Sequence, residues 1–211
     1  VEIARGSANG AEYLSDPLSI LFVWKGGLVM FGGLFGGLLL GSYKTRAEGL
    51  NVAQGLDLGL TAGFFGLAVG RIGCLLVGDD YGRVVPERFA HLPFPITLRV
   101  PAELPPGSLF GAENAGQLLW ATQLWMALNA TLLGLLGLWL LGRPWRPGRV
   151  ATILVMLYSV GRFAIEAFRG DDLRGLWFDG ALSTSQVVAI AVFLASLALL
   201  WLRRGQVARA I

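Results

Sequence analysis

Five apolar runs constrain this chain more than anything else in it, because each is long enough to cross a bilayer as a helix. A hydrocarbon layer of roughly 30 Å needs about 20 residues at a rise of about 1.5 Å each. The runs cover approximately residues 27–43, 56–77, 117–141, 150–168 and 184–202. With 55% hydrophobic and 15% charged residues and a mean hydropathy of +0.62, too little polar surface remains to coat a water-soluble globule. The expected fold class is an all-α polytopic membrane protein with five transmembrane helices.

The charges between the runs set an expected orientation. Lys44, Arg46, Arg143, Arg146, Arg149, Arg203, Arg204 and Arg209 fall on one side if five spans alternate, with Glu48 and Asp57 as the acids there. Most other acids, including Glu2, Glu12, Asp16, Glu87, Glu103, Glu113, Asp171, Asp172 and Asp179, fall on the opposite side. The positive-inside rule then places residues 1–26 outside and the C-terminus in the cytoplasm. The segment 78–116 becomes an extracytoplasmic head, made irregular or short-stranded by Pro86, Pro93, Pro95, Pro101, Pro105 and Pro106, on a single membrane domain spanning 1–211. The tight turn from Arg143 to Arg149 predicts that the third and fourth helices are antiparallel neighbours. Trp24 and Trp177 suit an outer aromatic belt, and Trp139 and Trp145 an inner one.

Several function classes drop out. A net charge of +3, with the bases in short clusters between apolar runs, argues against a nucleic-acid partner. The single Cys74 excludes an internal disulfide, and the single His91 excludes a multi-histidine metal site. Residues 1–10 lack the basic start and apolar core of a signal peptide. Neither an inverted repeat nor a ladder of charges along one helix points to a transporter or channel.

Charges inside the apolar runs carry the functional signal. Arg71 lies in the second run between Gly70 and Gly73. The fourth run holds Tyr158, Arg162 and Glu166 at four-residue spacing, on one helix face. An arginine at mid-membrane costs at least about 2.5–3.5 kcal/mol, so such groups face a bundle interior or a cavity. Arg162 and Glu166 can pair with each other, but two arginines on different helices are better explained by an anionic ligand held between them. Guanidinium stays charged and grips phosphate through two parallel hydrogen bonds. The loop after Arg71 adds Asp79 and Arg83 at the outer surface. In the glycine-rich first run, Gly32 and Gly33 either permit close helix packing or bare backbone N–H groups to a ligand.

Four stretches together resemble the bacterial prolipoprotein diacylglyceryl transferases. They are Asp16-Pro-Leu with Trp24-Lys-Gly-Gly-Leu-Val-Met-Phe-Gly-Gly-Leu-Phe-Gly-Gly37, Gly70-Arg-Ile-Gly-Cys-Leu-Leu-Val-Gly-Asp-Asp-Tyr-Gly-Arg83, Gln123, and Gly161-Arg-Phe-Ala-Ile-Glu-Ala-Phe-Arg169. The resemblance implies a bacterial cytoplasmic membrane protein whose usual seven spans are represented here by the last five. It implies transfer of a diacylglyceryl group from phosphatidylglycerol to the lipobox cysteine thiol of a prolipoprotein signal peptide, with no metal and no cofactor. It also implies catalytic roles for Arg71, Arg162 and Glu166, and substrate contacts from Arg71, Arg83, Asp79, Gln123, Tyr158, Gly32 and Gly33.

The departures from the family pattern fall at one end of the site. Phe31 stands where a histidine or tyrosine is usual, Cys74 and Val77 where asparagines are usual, and Asp79 where a glutamate is usual. The stretch from Trp120 to Met126 keeps Thr122, Gln123 and Leu124 but has no histidine. His91 matches neither lost position and reads as surface structure. The phosphate end of the site is thus better retained than the thiol-activating end, which leaves a non-catalytic phospholipid-binding paralogue as the competing reading.

Overall fold

The computed structural model describes residues 30–170, 176–177 and 182–204, with side-chain surroundings for 36–170 and 182–202. The chain divides into two units, Val1–Gly55 and Leu56–Ile211. In the first lies α1 (Met30–Ala47), whose last turn carries Lys44 and Arg46. Lys44 pairs with Glu48 one turn on, in the open.

The second unit is built on α2 (Val52–Val77), α3 (Thr122–Leu141), α4 (Arg149–Glu166) and α5 (Thr184–Arg204), of which α2 starts in the last residues of the first unit. Among the described residues, Val52–Val77, Thr122–Leu141 and Thr184–Leu202 are long and apolar enough to cross a membrane. Helix α4 is continuous, but its apolar run is broken by Arg162 and Glu166 and it starts on Arg149. α4 packs along both α3 and α5. Phe64 and Ala68 of α2, Ala130, Leu133 and Leu140 of α3, and Val150 and Leu154 of α4 form the core of the helical layer. Their outward neighbours, such as Leu76, Leu128, Leu138 and Leu194, are exposed, as expected of helices whose outer faces meet lipid instead of water.

Two of the helix boundaries that differ from the sequence expectation do so for a clear physical reason. The run starting at residue 117 is not helical at its beginning. Strand β2 (Leu118–Trp120) pairs antiparallel with β1 (Thr97–Arg99), because Leu119 is buried with Val100 and Phe110 in a small core of the intervening segment. A second short pair, β3 (Leu176–Trp177) with β4 (Leu182–Ser183), precedes α5, so the fold is mostly and not purely helical.

Helix α2 begins at Val52, earlier than expected, so Asp57 lies about a turn and a half inside it instead of at its first residues, and is only 5% exposed. Its carboxylate reaches the start of α4. Oδ2 accepts the Gly148 N–H and Oδ1 the Ala151 N–H, both at 2.7 Å. Gly148, at φ 83°, has no side chain to cap the helix it precedes. Asp57 supplies that cap from another helix, placing a negative charge at the positive end of the α4 dipole.

Candidate functional site

The loop leaving α2 is stitched to the end of α4, and this brings the charged residues together. Gly82 forms an isolated β-bridge with Arg169 and Val84 one with Leu119. Arg83 N–H donates to Phe168 O at 2.8 Å, Gly170 N–H to Tyr81 O at 3.0 Å, and Trp120 N–H to Arg83 O at 3.0 Å. A Cβ on Gly82 would run into the Trp120 backbone, so only glycine allows this crossing. From the other side, the first residues of α3 hold the acidic turn by its carbonyls. Thr122 Oγ1 donates to Asp80 O and Gln123 Nε2 to Asp79 O, both at 2.9 Å. Thr122 and Gln123 are completely buried.

This scaffold carries a chain of alternating charges. Asp80, at φ 56°, turns its carboxylate between two guanidiniums, with Arg71 Nη1 on Oδ2 and Arg169 Nη2 on Oδ1. Arg169 also lies 3.9 Å from Glu166 Oε2, the oxygen that pairs with Arg162 Nη1. Glu166 is 1% exposed, and its other oxygen accepts the Ser183 hydroxyl at 3.0 Å. Ser183 and Gln186 cap α5 reciprocally, since Ser183 N–H donates to Gln186 Oε1 and Gln186 N–H to Ser183 Oγ. Arg162 Nη2 donates to Ser185 Oγ at 3.0 Å. Among the described residues, three guanidiniums thus share two carboxylates in a mostly buried, apolar setting, one more positive than negative charge. Burial pushes the Asp80 carboxyl up, but Arg169 and Arg71 outweigh it and hold the group below the usual carboxylate range.

Each residue expected from the sequence has a definite place, apart from two glycines. Arg71, Arg162 and Glu166 belong to the charged chain. Asp79 is exposed, and its carboxylate caps the Asp80 N–H, so the acid between the arginines is its neighbour. Arg83 is exposed, with Nε donating to Arg169 O. Gln123 positions the acidic turn and keeps a buried Oε1 without a hydrogen bond. Tyr158 is half-buried against Phe64, with ring centroids 5.5 Å apart. Gly32 and Gly33 lie in α1, in the other unit, and their surroundings fall outside the described residues. His91 is exposed in a turn. Arg169 and Asp80 are what sequence reasoning missed. Arg169 carried a usable signal, being three residues after Glu166 and on its face. Asp80 did not, because which of two adjacent acids turns inward depends on the loop.

Cys74, Asp79 and Asp80 bring potential metal-binding atoms within 4.8 Å of one another. Both Asp80 oxygens already face guanidiniums, and a cation there would stand against Arg71 and Arg169. The electrostatics favour an anion instead.

Residues 8–202 match the family model described as prolipoprotein diacylglyceryl transferase. The chain belongs to that family. Curated proteins named phosphatidylglycerol–prolipoprotein diacylglyceryl transferase agree with it over most of its length. That of Geobacter sulfurreducens is 32% identical over 90% of this chain and 66% of its own. That of Gloeobacter violaceus is 33% identical over 92% and 68%, and that of Halalkalibacterium halodurans 29% over 92% and 63%. The chain therefore spans about two thirds of the length of these relatives. Membership makes it a membrane protein, in keeping with its apolar helices.

Proposed function

We propose that the chain transfers a diacylglyceryl group from phosphatidylglycerol to the lipobox cysteine thiol of a prolipoprotein signal peptide. In this reading it works in the bacterial cytoplasmic membrane as a single domain of five spans, with 78–116 as an extracytoplasmic head and the C-terminus in the cytoplasm. The observation that carries the reading is the excess of guanidinium over carboxylate among Arg71, Arg162, Arg169, Asp80 and Glu166, buried where apolar helices end. It is supported by the relatives' printed names.

The chemistry asks for that excess. The cysteine sulfur forms a bond to the terminal glyceryl carbon, and the bond from that carbon to the phosphate oxygen breaks. The electron pair leaves on glycerol phosphate, whose negative charge rises as it departs. Arg71 and Arg162 are assigned to that charge, in a setting where water does not screen it. Glu166, with two arginines and Ser183 about it, is assigned to orienting the guanidiniums. The thiol proton passes to the departing phosphate, whose second pKa is about 6. No metal or organic cofactor enters the scheme. Arg83, Asp79, Gln123, Tyr158, Gly32 and Gly33 are assigned to substrate contact or its support.

The test is cell-free transfer of labelled diacylglycerol from phosphatidylglycerol to a lipobox peptide. Label on the peptide, lost when its cysteine is replaced by serine, supports the reading. Phosphatidylglycerol binding without transfer would instead favour the lipid-binding paralogue. The placing of Phe31 and Trp120 where the family usually carries histidine or tyrosine keeps that alternative in view.

A further inference from the structure

Asn129 lies well inside α3, roughly 9 Å along the helix from Gln123 at about 1.5 Å per residue. The hydroxyl side chains of the helical layer satisfy themselves locally. Thr61, Thr131, Thr152 and Ser159 each donate to the carbonyl one turn back in their own helix. Asn129 is half-buried and makes no hydrogen bond among the described residues. A polar side chain on a membrane-spanning helix, half-covered by apolar neighbours, calls for a partner at that depth.

Helix register places the amide at the same level along the bundle as the arginines. Gly137 of α3 faces Thr61 of α2 and Leu154 of α4, where a Cβ would come within 2.8 Å of Thr61 Cγ2 and 2.9 Å of Leu154 Cδ1. Gly134 faces Phe65 of α2 in the same way, at 2.9 Å. Continuing both antiparallel registers brings Asn129 level with Gly70 and Arg71 on α2, and with Gly161 and Arg162 on α4. The α4 contact is direct, since a Cβ on Gly161 would lie 2.7 Å from both Asn129 Nδ2 and Oδ1. Gly161 therefore lets the amide approach the α4 backbone at the residue before Arg162.

We infer that Asn129 is a third-helix contact for the anionic phospholipid, its amide N–H donating to a phosphate or adjoining ester oxygen at the level of Arg71 and Arg162. The inference rests on the reading that these arginines hold an anionic lipid. It adds a neutral donor from α3 to the guanidiniums from α2 and α4, and so a means of telling lipid oxygen from a simple anion. An Asn129→Leu chain keeps the volume and loses the donor. Asn129→Asp adds like charge to the ligand's own.

The experiment is titration of phosphatidylglycerol, with phosphatidylethanolamine as comparison, into the full chain in detergent, reading bound lipid by native mass spectrometry. Asn129→Leu should weaken phosphatidylglycerol binding about three- to tenfold, the worth of one neutral hydrogen bond, and Asn129→Asp more. Asn129→Ser, which crowds Gly161 less, should also weaken it and serves if the leucine chain does not fold. Arg71→Lys is run alongside. If it weakens binding while all folded Asn129 variants bind as the parent does, the Asn129 inference is overturned and the arginine site stands. If the parent shows no preference for phosphatidylglycerol, both fall.

Discussion

Asp57 offers the sharpest test of how the helical layer is held, because its effect follows from two bonds whatever the enzyme does. Asp57→Ala strips the carboxylate from the Gly148 and Ala151 N–H groups and leaves both buried without a partner. Losing a helix cap costs about 0.5–2 kcal/mol, and each buried donor left unsatisfied about 1–3. A loss of about 3 kcal/mol is expected from the two together. For a chain of this size that corresponds to a midpoint lower by about 6–12 °C. Asp57→Asn keeps one acceptor oxygen and should lose about half as much. The assay can use the protein's own thiol, since Cys74 is half-buried in α2 and the chain has no other cysteine. A thiol-reactive fluorophore then reports unfolding in detergent. Glu48→Ala is the control, since its pair with Lys44 is 54% and 74% exposed and should shift stability by no more than about 0.5 kcal/mol. Midpoints for Asp57→Ala within about 3 °C of the parent, equivalent to about 1 kcal/mol, would refute the remote cap.

Three further outcomes are expected. Arg71→Lys and Arg162→Lys should each lower transfer at least about tenfold, or 1.4 kcal/mol of transition-state stabilisation, since lysine lacks the two-bond grip. His91→Ala should do little in the same membranes, and the reverse pattern would end the arginine-centred mechanism. Asp80, held below its ordinary pKa by Arg169 and Arg71, contributes stability that is present above the unfolded value of about 3.9 and lost as pH falls through the folded one. Thermal midpoints of the parent should therefore drop more steeply below about pH 4 than those of Asp80→Asn, and parallel curves would contradict this. A single cysteine at position 146, in a chain carrying Cys74→Ala, should be labelled only after the membrane is opened, whereas labelling from outside would invert the proposed orientation.

The hydrophobic runs, their helical state and the presence of a buried ionic site were legible in the sequence because each depends on local pattern. An apolar stretch of spanning length must satisfy its own backbone, and an arginine within it must find a counter-charge wherever the chain goes next. Arg162 and Glu166 could be paired from their spacing alone. The motif around Arg71, together with the one around Arg162, sufficed to place the chain in its family.

What the sequence could not supply was contact between residues far apart along it. Asp57 read as no more than an acid at the cytoplasmic end of an apolar run, and only the packing of α2 against the start of α4 makes it a cap. Asp79 and Asp80 are chemically equal neighbours, and the αL turn at Asp80, fixed by Thr122, Gln123 and the Gly82 crossing, decides which carboxylate meets Arg71 and Arg169. Leu118–Trp120 reads as the start of an apolar helix until Thr97–Arg99 pairs with it. In each case propensity or charge leaves two states close in energy, and a partner brought up by the tertiary fold selects one.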